Sequence, residues 1–70
     1  MHSATLETSD RLRRVDKLLS DGNEHSTLDI VTGAQVCAVN SIISELRDNG
    51  RDITCQRRGR YWYYRMVGVQ

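Results

Sequence analysis

The side chains best equipped for chemistry in this chain are its arginines and aromatics rather than its cysteines and histidines. Cys37 and Cys55 stand 18 positions apart, and the two histidines are His2 and His25. That is not the paired spacing of a zinc site. No glycine-rich phosphate loop and no serine–histidine–carboxylate set is present. The expectation is therefore no catalytic site, no metal, no cofactor and no small-molecule ligand, and a protein that is not an enzyme. Cys37, near the start of a helix, could carry a lowered thiol pKa and sense oxidants, although an inert cysteine is the commoner case. The productive run is Arg57-Arg58-Gly59-Arg60 followed by Tyr61-Trp62-Tyr63-Tyr64-Arg65. Arginines at a hairpin tip can hold a phosphate backbone or enter a narrow minor groove. The plainer alternative is a charged turn that blunts an edge strand. Tyrosines and tryptophan among arginines can also stack single-stranded bases.

The charge distribution supports an anionic partner. Residues 1–48 hold five basic against eight acidic side chains, a balance of −3, and residues 49–70 hold five basic against one acidic, a balance of +4. The whole chain carries only +1. Concentrated basic charge beside an acidic half points to a polyanion, and a solvated basic hairpin is the competing explanation. Seventy residues make one domain, which buries only about 60% of its unfolded surface. A large catalytic cleft would take more chain than this. Hydrophobic residues make up 39% of the chain and proline is absent, which suits a compact fold rather than disorder. No apolar run reaches the length of a membrane span, so no membrane partner is predicted. The polar stretch from Met1 to Asp10 has no apolar region of the kind a signal peptide needs. A cytoplasmic setting with reduced thiols is expected.

The elements that must position these residues can be read from periodicity. Residues 1–8 are predicted to be a flexible N-terminal tail, 9–67 the folded domain and 68–70 a C-terminal tail. Ser9 caps a first helix carrying Leu12, Val15, Leu18 and Leu19, with Arg13, Arg14 and Lys17 on its wet side and Gly22 beyond its end. Glu24 and His25 form a short extended link. Ser26 and Asp29 are spaced as a capping box for a short second helix bearing Leu28, Ile30 and Val31, which Gly33 is expected to stop. Val36, Val39, Ile42, Ile43 and Leu46 then recur at helical spacing, the clearest period in the chain, and Asn49-Gly50 closes that third helix. The pattern next changes to period two. Ile53 and Cys55 alternate with Thr54 and Gln56, and a second run begins at Tyr61, so the C-terminus reads as a β-hairpin. Trp62, Tyr64 and Met66 are expected to join Ile53 and Cys55 in the core, leaving Tyr61 and Tyr63 on the outer face. The predicted core also takes Leu12, Val15, Leu19, Leu28, Ile30, Val31, Val39, Ile42, Ile43 and Leu46.

Helix, short helix, tight turn, helix and hairpin is the order of an α+β, three-helix winged helix-turn-helix with a C-terminal β-hairpin wing. The chain resembles that family, and is similar to biotin-repressor-type N-terminal DNA-binding domains and to small phage or prophage regulators. The resemblance rests on Ser26-Thr27-Leu28-Asp29-Ile30, on Val39 through Gly50, and on the segment from Asp52-Ile53 to Gly59 that closes on Tyr64-Arg65-Met66. It implies a transcriptional regulator binding double-stranded DNA, with the third helix in the major groove and the basic wing on the backbone or minor groove. In one respect the chain departs from the family pattern. The turn before the third helix is about two residues tighter, and Gln35 or Cys37 stands where a serine or threonine cap is usual.

The helical wheel then selects residues. With Val39, Ile42, Ile43 and Leu46 inward, Cys37, Ser41, Ser44, Glu45 and Asp48 point away, and Asn40 and Arg47 lie on one flank. Asparagine can bond an adenine through both ends of its amide, and serine can contact bases or phosphates. Arg47 suits phosphate. The predicted DNA-binding residues are therefore Thr27, Asn40, Ser41, Ser44 and Arg47, with Arg57, Arg58 and Arg60 on the wing. Glu45 and Asp48 would repel phosphate along part of the helix, and Ser41 and Ser44 are otherwise ordinary solvated positions. A homodimer or a partner protein would supply further specificity. The competing function is a winged-helix protein–protein interaction module without DNA binding, favoured by the modest net charge and acidic third helix.

Overall fold

A computed structural model describes residues 9–69. The chain forms α1 (Asp10–Leu19), β1 (His25–Ser26), α2 (Thr27–Ala34), α3 (Val39–Asp48), β2 (Arg51–Arg58) and β3 (Tyr61–Val69). It is a small α+β domain of three helices against a three-stranded antiparallel sheet in the order β1-β3-β2. The predicted tail over residues 1–8 lies outside the described residues, as does Gln70. The predicted C-terminal tail is otherwise corrected, because Gly68 and Val69 continue β3 by pairing with Asp52 and Arg51. The link at His25 is also more than extended backbone. His25 and Ser26 pair with Tyr64 and Tyr63, so the hairpin gains a third strand.

Local chemistry explains the element ends. Ser9 Oγ accepts from the Leu12 N–H at 3.4 Å and starts α1. Ser26 and Asp29 make both bonds of the capping box, each at 3.1 Å. Helix α2 does not stop at Gly33. It runs to Ala34, and Gln35 takes the left-handed conformation with φ 55°. Ile30 and Ala34, one turn apart, are both buried, and keeping Ala34 helical places it on the buried face of Ile30. The third helix starts at Val39, with Ala38 at its N-cap and no side-chain bond there. Neither Gln35 nor Cys37 caps it, and Val36 is buried from the turn rather than from the helix. Gly50, at φ 88°, supplies the left-handed residue after α3. The hairpin loop is only Gly59-Arg60, since Arg58 pairs with Tyr61. Positive φ falls on Gly59 alone in that loop, the arrangement of a type II′ turn.

The core lies between the helices and the sheet. Leu12, Val15 and Leu19 of α1, Ile30 of α2 and Leu46 of α3 are fully enclosed, and Ile53, Tyr64 and Met66 close the sheet side. Val31 is only partly buried. Three predicted core residues are corrected. Leu28 is 62% exposed, because it lies about 200° round the helix from Ile30 and the two cannot share a face. Cys55 is exposed and Trp62 is 44% exposed. Both belong to the inward face of the hairpin, opposite Tyr64 and Arg57 respectively, but that part of the hairpin extends past the helices. A strand of eight residues spans about 26 Å while a helix of ten spans about 15 Å, so the hairpin must overhang.

Candidate functional site

The overhang creates a groove between α3 and the hairpin, about 320 Å³ in volume and lined by Asn40, Ile43, Arg47, Cys55, Trp62 and Tyr64. Asn40 and Arg47 come to it from the flank of α3 that the wheel assigned them. Tyr64 reaches across from β3, and its hydroxyl donates to Asn40 Oδ1 at 3.0 Å. Arg47 folds back toward β2, where its Nε and Nη2 donate to the Ile53 carbonyl at 3.2 and 2.8 Å. A guanidinium has five N–H donors, so this bond fixes Arg47 without exhausting it. The groove thus has an aromatic wall, an amide and a cation, and no carboxylate among its lining residues.

The predicted serines stand on the open side of α3. Ser41 and Ser44 are exposed, and Ser44 continues the row of Asn40 and Arg47 at helical spacing. Glu45 is a correction. It is half-buried rather than turned outward, 3.6 Å from the Arg11 guanidinium of α1. Its charge is therefore offset on the α1 side of the helix. Thr27, at the first position of α2, sits beside the sheet, its hydroxyl 3.5 Å from the Trp62 carbonyl.

The hairpin arginines divide between two faces. Arg57 is directly opposite Trp62 and shares its face, toward α3. Its Nε donates to the Gly59 carbonyl at 3.1 Å, which fixes its base at the loop. Arg60 occupies the loop itself and has no partner among the described residues. Arg58 is on the opposite face, where it pairs with Glu24 and covers the Tyr63 ring at 4.1 Å. Hydrogen bonding to Glu24 raises the Arg58 pKa further. That contact also leaves Tyr63 half-buried rather than exposed, while Tyr61 is exposed as predicted.

Of the predicted residues, Asn40 and Arg47 line the groove; Ser44 follows them along α3, Arg57 shares the face of Trp62, and Ser41 and Arg60 are exposed on the helix and in the loop. Thr27 and Arg58 stand apart from the groove. Sequence reasoning missed the place of Trp62 and Cys55 in the groove and the role of Tyr64 as the partner of Asn40. The length mismatch between hairpin and helices was the available signal for the first two. Cys37 and Cys55 are both exposed and unpaired. Among the described residues no group of three or more His, Cys, Asp or Glu side chains is placed to hold a metal. No single helix among them is long and apolar enough to cross a membrane. Compared with family models, curated proteins and solved structures, the chain matches none.

Proposed function

We propose that this chain is a winged helix-turn-helix protein that binds double-stranded DNA sequence-specifically and acts as a small cytoplasmic transcriptional regulator. The observation that carries the reading is the joint between α2 and α3. Four residues separate the two helices, and their axes bend by 85°. A turn of three or four residues with a near-perpendicular bend is the geometry that lets a second helix enter a major groove while the first crosses the backbone. The major groove is about 12 Å wide, and the outer face of α3 carries small polar side chains that such a fit tolerates. The hairpin beside it is the wing, and Arg57 and Arg60 are its phosphate contacts. Single modules of this kind bury about 600–1,000 Å² on DNA, so a homodimer or partner protein would add to the specificity.

A second reading is favoured by a different observation. Leu28, Tyr61, Val67 and Val69 are exposed large apolar side chains outside the groove, and such residues suit a protein partner. An NMR titration of labelled protein with a random-sequence duplex at low salt separates the two. The DNA reading expects shifts concentrated on Asn40–Arg47 and Arg57–Arg60. An unperturbed spectrum at millimolar duplex would instead favour a protein-interaction module, for which substitution of Tyr61 should weaken partner capture.

A further inference from the structure

Asn40 is the one predicted base-reading residue whose amide is held by another side chain. Tyr64 is 5% exposed, and a buried phenol needs an acceptor for its proton. Among the described residues that acceptor is Asn40 Oδ1, at 3.0 Å. An amide whose oxygen is turned toward the core presents its nitrogen to the groove mouth, with two N–H donors. The usual reading of adenine needs both ends of the amide, the oxygen accepting from N6–H₂ and the nitrogen donating to N7. Here the buried Tyr64 hydroxyl takes one lone pair of that oxygen and holds it on the β3 side, so that the nitrogen is the end of the amide left facing outward. Guanine presents two acceptors instead, N7 and O6, and matches an outward-facing NH₂. Arg47 beside it also offers only donors, and no carboxylate lines the groove.

We infer, resting on the DNA-binding reading above, that Tyr64 fixes Asn40 as a donor-only reading group and so directs the base position it meets toward guanine rather than adenine. Tyr64 is a positioning residue. It touches no base, and it acts by setting which end of the Asn40 amide faces the DNA.

The test starts from a preferred duplex selected from a random library with the full chain. The position read by Asn40 is the one whose base preference is lost in Asn40→Ala. There the wild-type protein should favour guanine over adenine about tenfold, the size of one good base contact. Replacing that guanine by 7-deazaguanine should remove most of the preference. Replacing adenine by purine, which lacks the N6 amino group, should change nothing. In Tyr64→Phe the amide is free to turn. The guanine preference should fall below about threefold and the purine substitution should begin to weaken binding, while the salt slope and the fold stay as they were. A wild-type preference for adenine that depends on its N6 group would overturn the inference. So would an undiminished guanine preference in a folded Tyr64→Phe protein, or an Asn40→Ala protein with every preference intact. Should Tyr64→Phe not fold, the base analogues decide the matter on the wild-type protein alone. Failure of the wild-type chain to bind any duplex at low salt is a different result, which removes the DNA-binding reading and this inference with it.

Discussion

Gln35 holds the only positive φ among the described non-glycine residues, at 55°. A residue with a Cβ pays about 1–2 kcal/mol for that conformation. It is kept there because the Gln35 and Val36 N–H groups both donate to the Val31 carbonyl, and because Val36 is buried behind the turn. Gln35→Gly should therefore raise stability by about 0.5–1 kcal/mol after the extra chain entropy of glycine is counted. A denaturant melt would show this as a higher midpoint at unchanged slope. Gln35→Ala keeps the Cβ and should show no such gain; equal midpoints for the two variants would mean that the strain lies elsewhere. The sequence pointed to Gly33 as the end of α2, since glycine is the usual left-handed residue. It could not show that the helix would run one residue further and place Ala34 on the buried face of Ile30. Asn40 illustrates the same limit. Its flank of the helix was legible from periodicity, but its partner Tyr64 stands 24 positions away on β3 and meets it only through the tertiary fold.

The short helix α2 is the element whose start the sequence described best, and its stability follows from that start. Ser26 Oγ accepts from the Asp29 N–H, and the Ser26 N–H donates to the Asp29 carboxylate. Both requirements are local and need only a spacing of three. Ser26→Ala should lower stability by about 1 kcal/mol, the usual value of an N-cap. Acidity offers a second check. The Ser26 N–H, with its hydroxyl next, holds the Asp29 carboxyl below the ordinary carboxylate range. The Asn23 N–H, with His25 next, does the same for Asp21. A depressed folded-state pKa adds stability above the unfolded value near 3.9, and the gain fades as pH falls through the lowered value. Thermal melts from pH 7 to pH 2 should accordingly show Asp29→Asn below the wild type at neutral pH, with the two curves converging in acid. A constant gap down to pH 2 would mean that the carboxylate is not the source. The hairpin was less legible than α2. Alternation gives its faces correctly, but alternation cannot say how far along a strand the helices reach, and so it cannot show that Trp62 and Cys55 lie beyond the core.

Part of the split of charge along the chain is used inside the folded molecule. Arg51 of β2 makes a two-point bond to Asp16 of α1 at 2.8 and 3.2 Å. Arg58 pairs with Glu24, and Arg65 donates to the Gly22 carbonyl at 2.7 Å. Much of the C-terminal basic surplus is thus spent on the N-terminal half, joining the hairpin to α1 and to the segment between α1 and β1. The sequence showed the asymmetry but not this internal use, because the pairs form across more than 30 positions. What remains for an outside anion is narrower than the composition suggested: Arg57 and Arg60 on the hairpin, with Arg47 at the groove. Each phosphate neutralised contributes about 0.9 to the slope of log affinity against log salt concentration. Under the proposed DNA binding, Arg57→Glu together with Arg60→Glu should therefore lower that slope by about 2 and weaken binding to every duplex alike. Arg58→Glu should change it by less than half as much, because Arg58 is on the other face and already occupied by Glu24. Fluorescence anisotropy with a labelled duplex between 50 and 200 mM salt, about the range over which such contacts separate clearly, measures both. Equal losses in the two variants would mean that DNA lies across both faces of the hairpin. A larger loss at Arg58 would move the contact to the face of Tyr63 and away from α3, and the groove would no longer be the binding site.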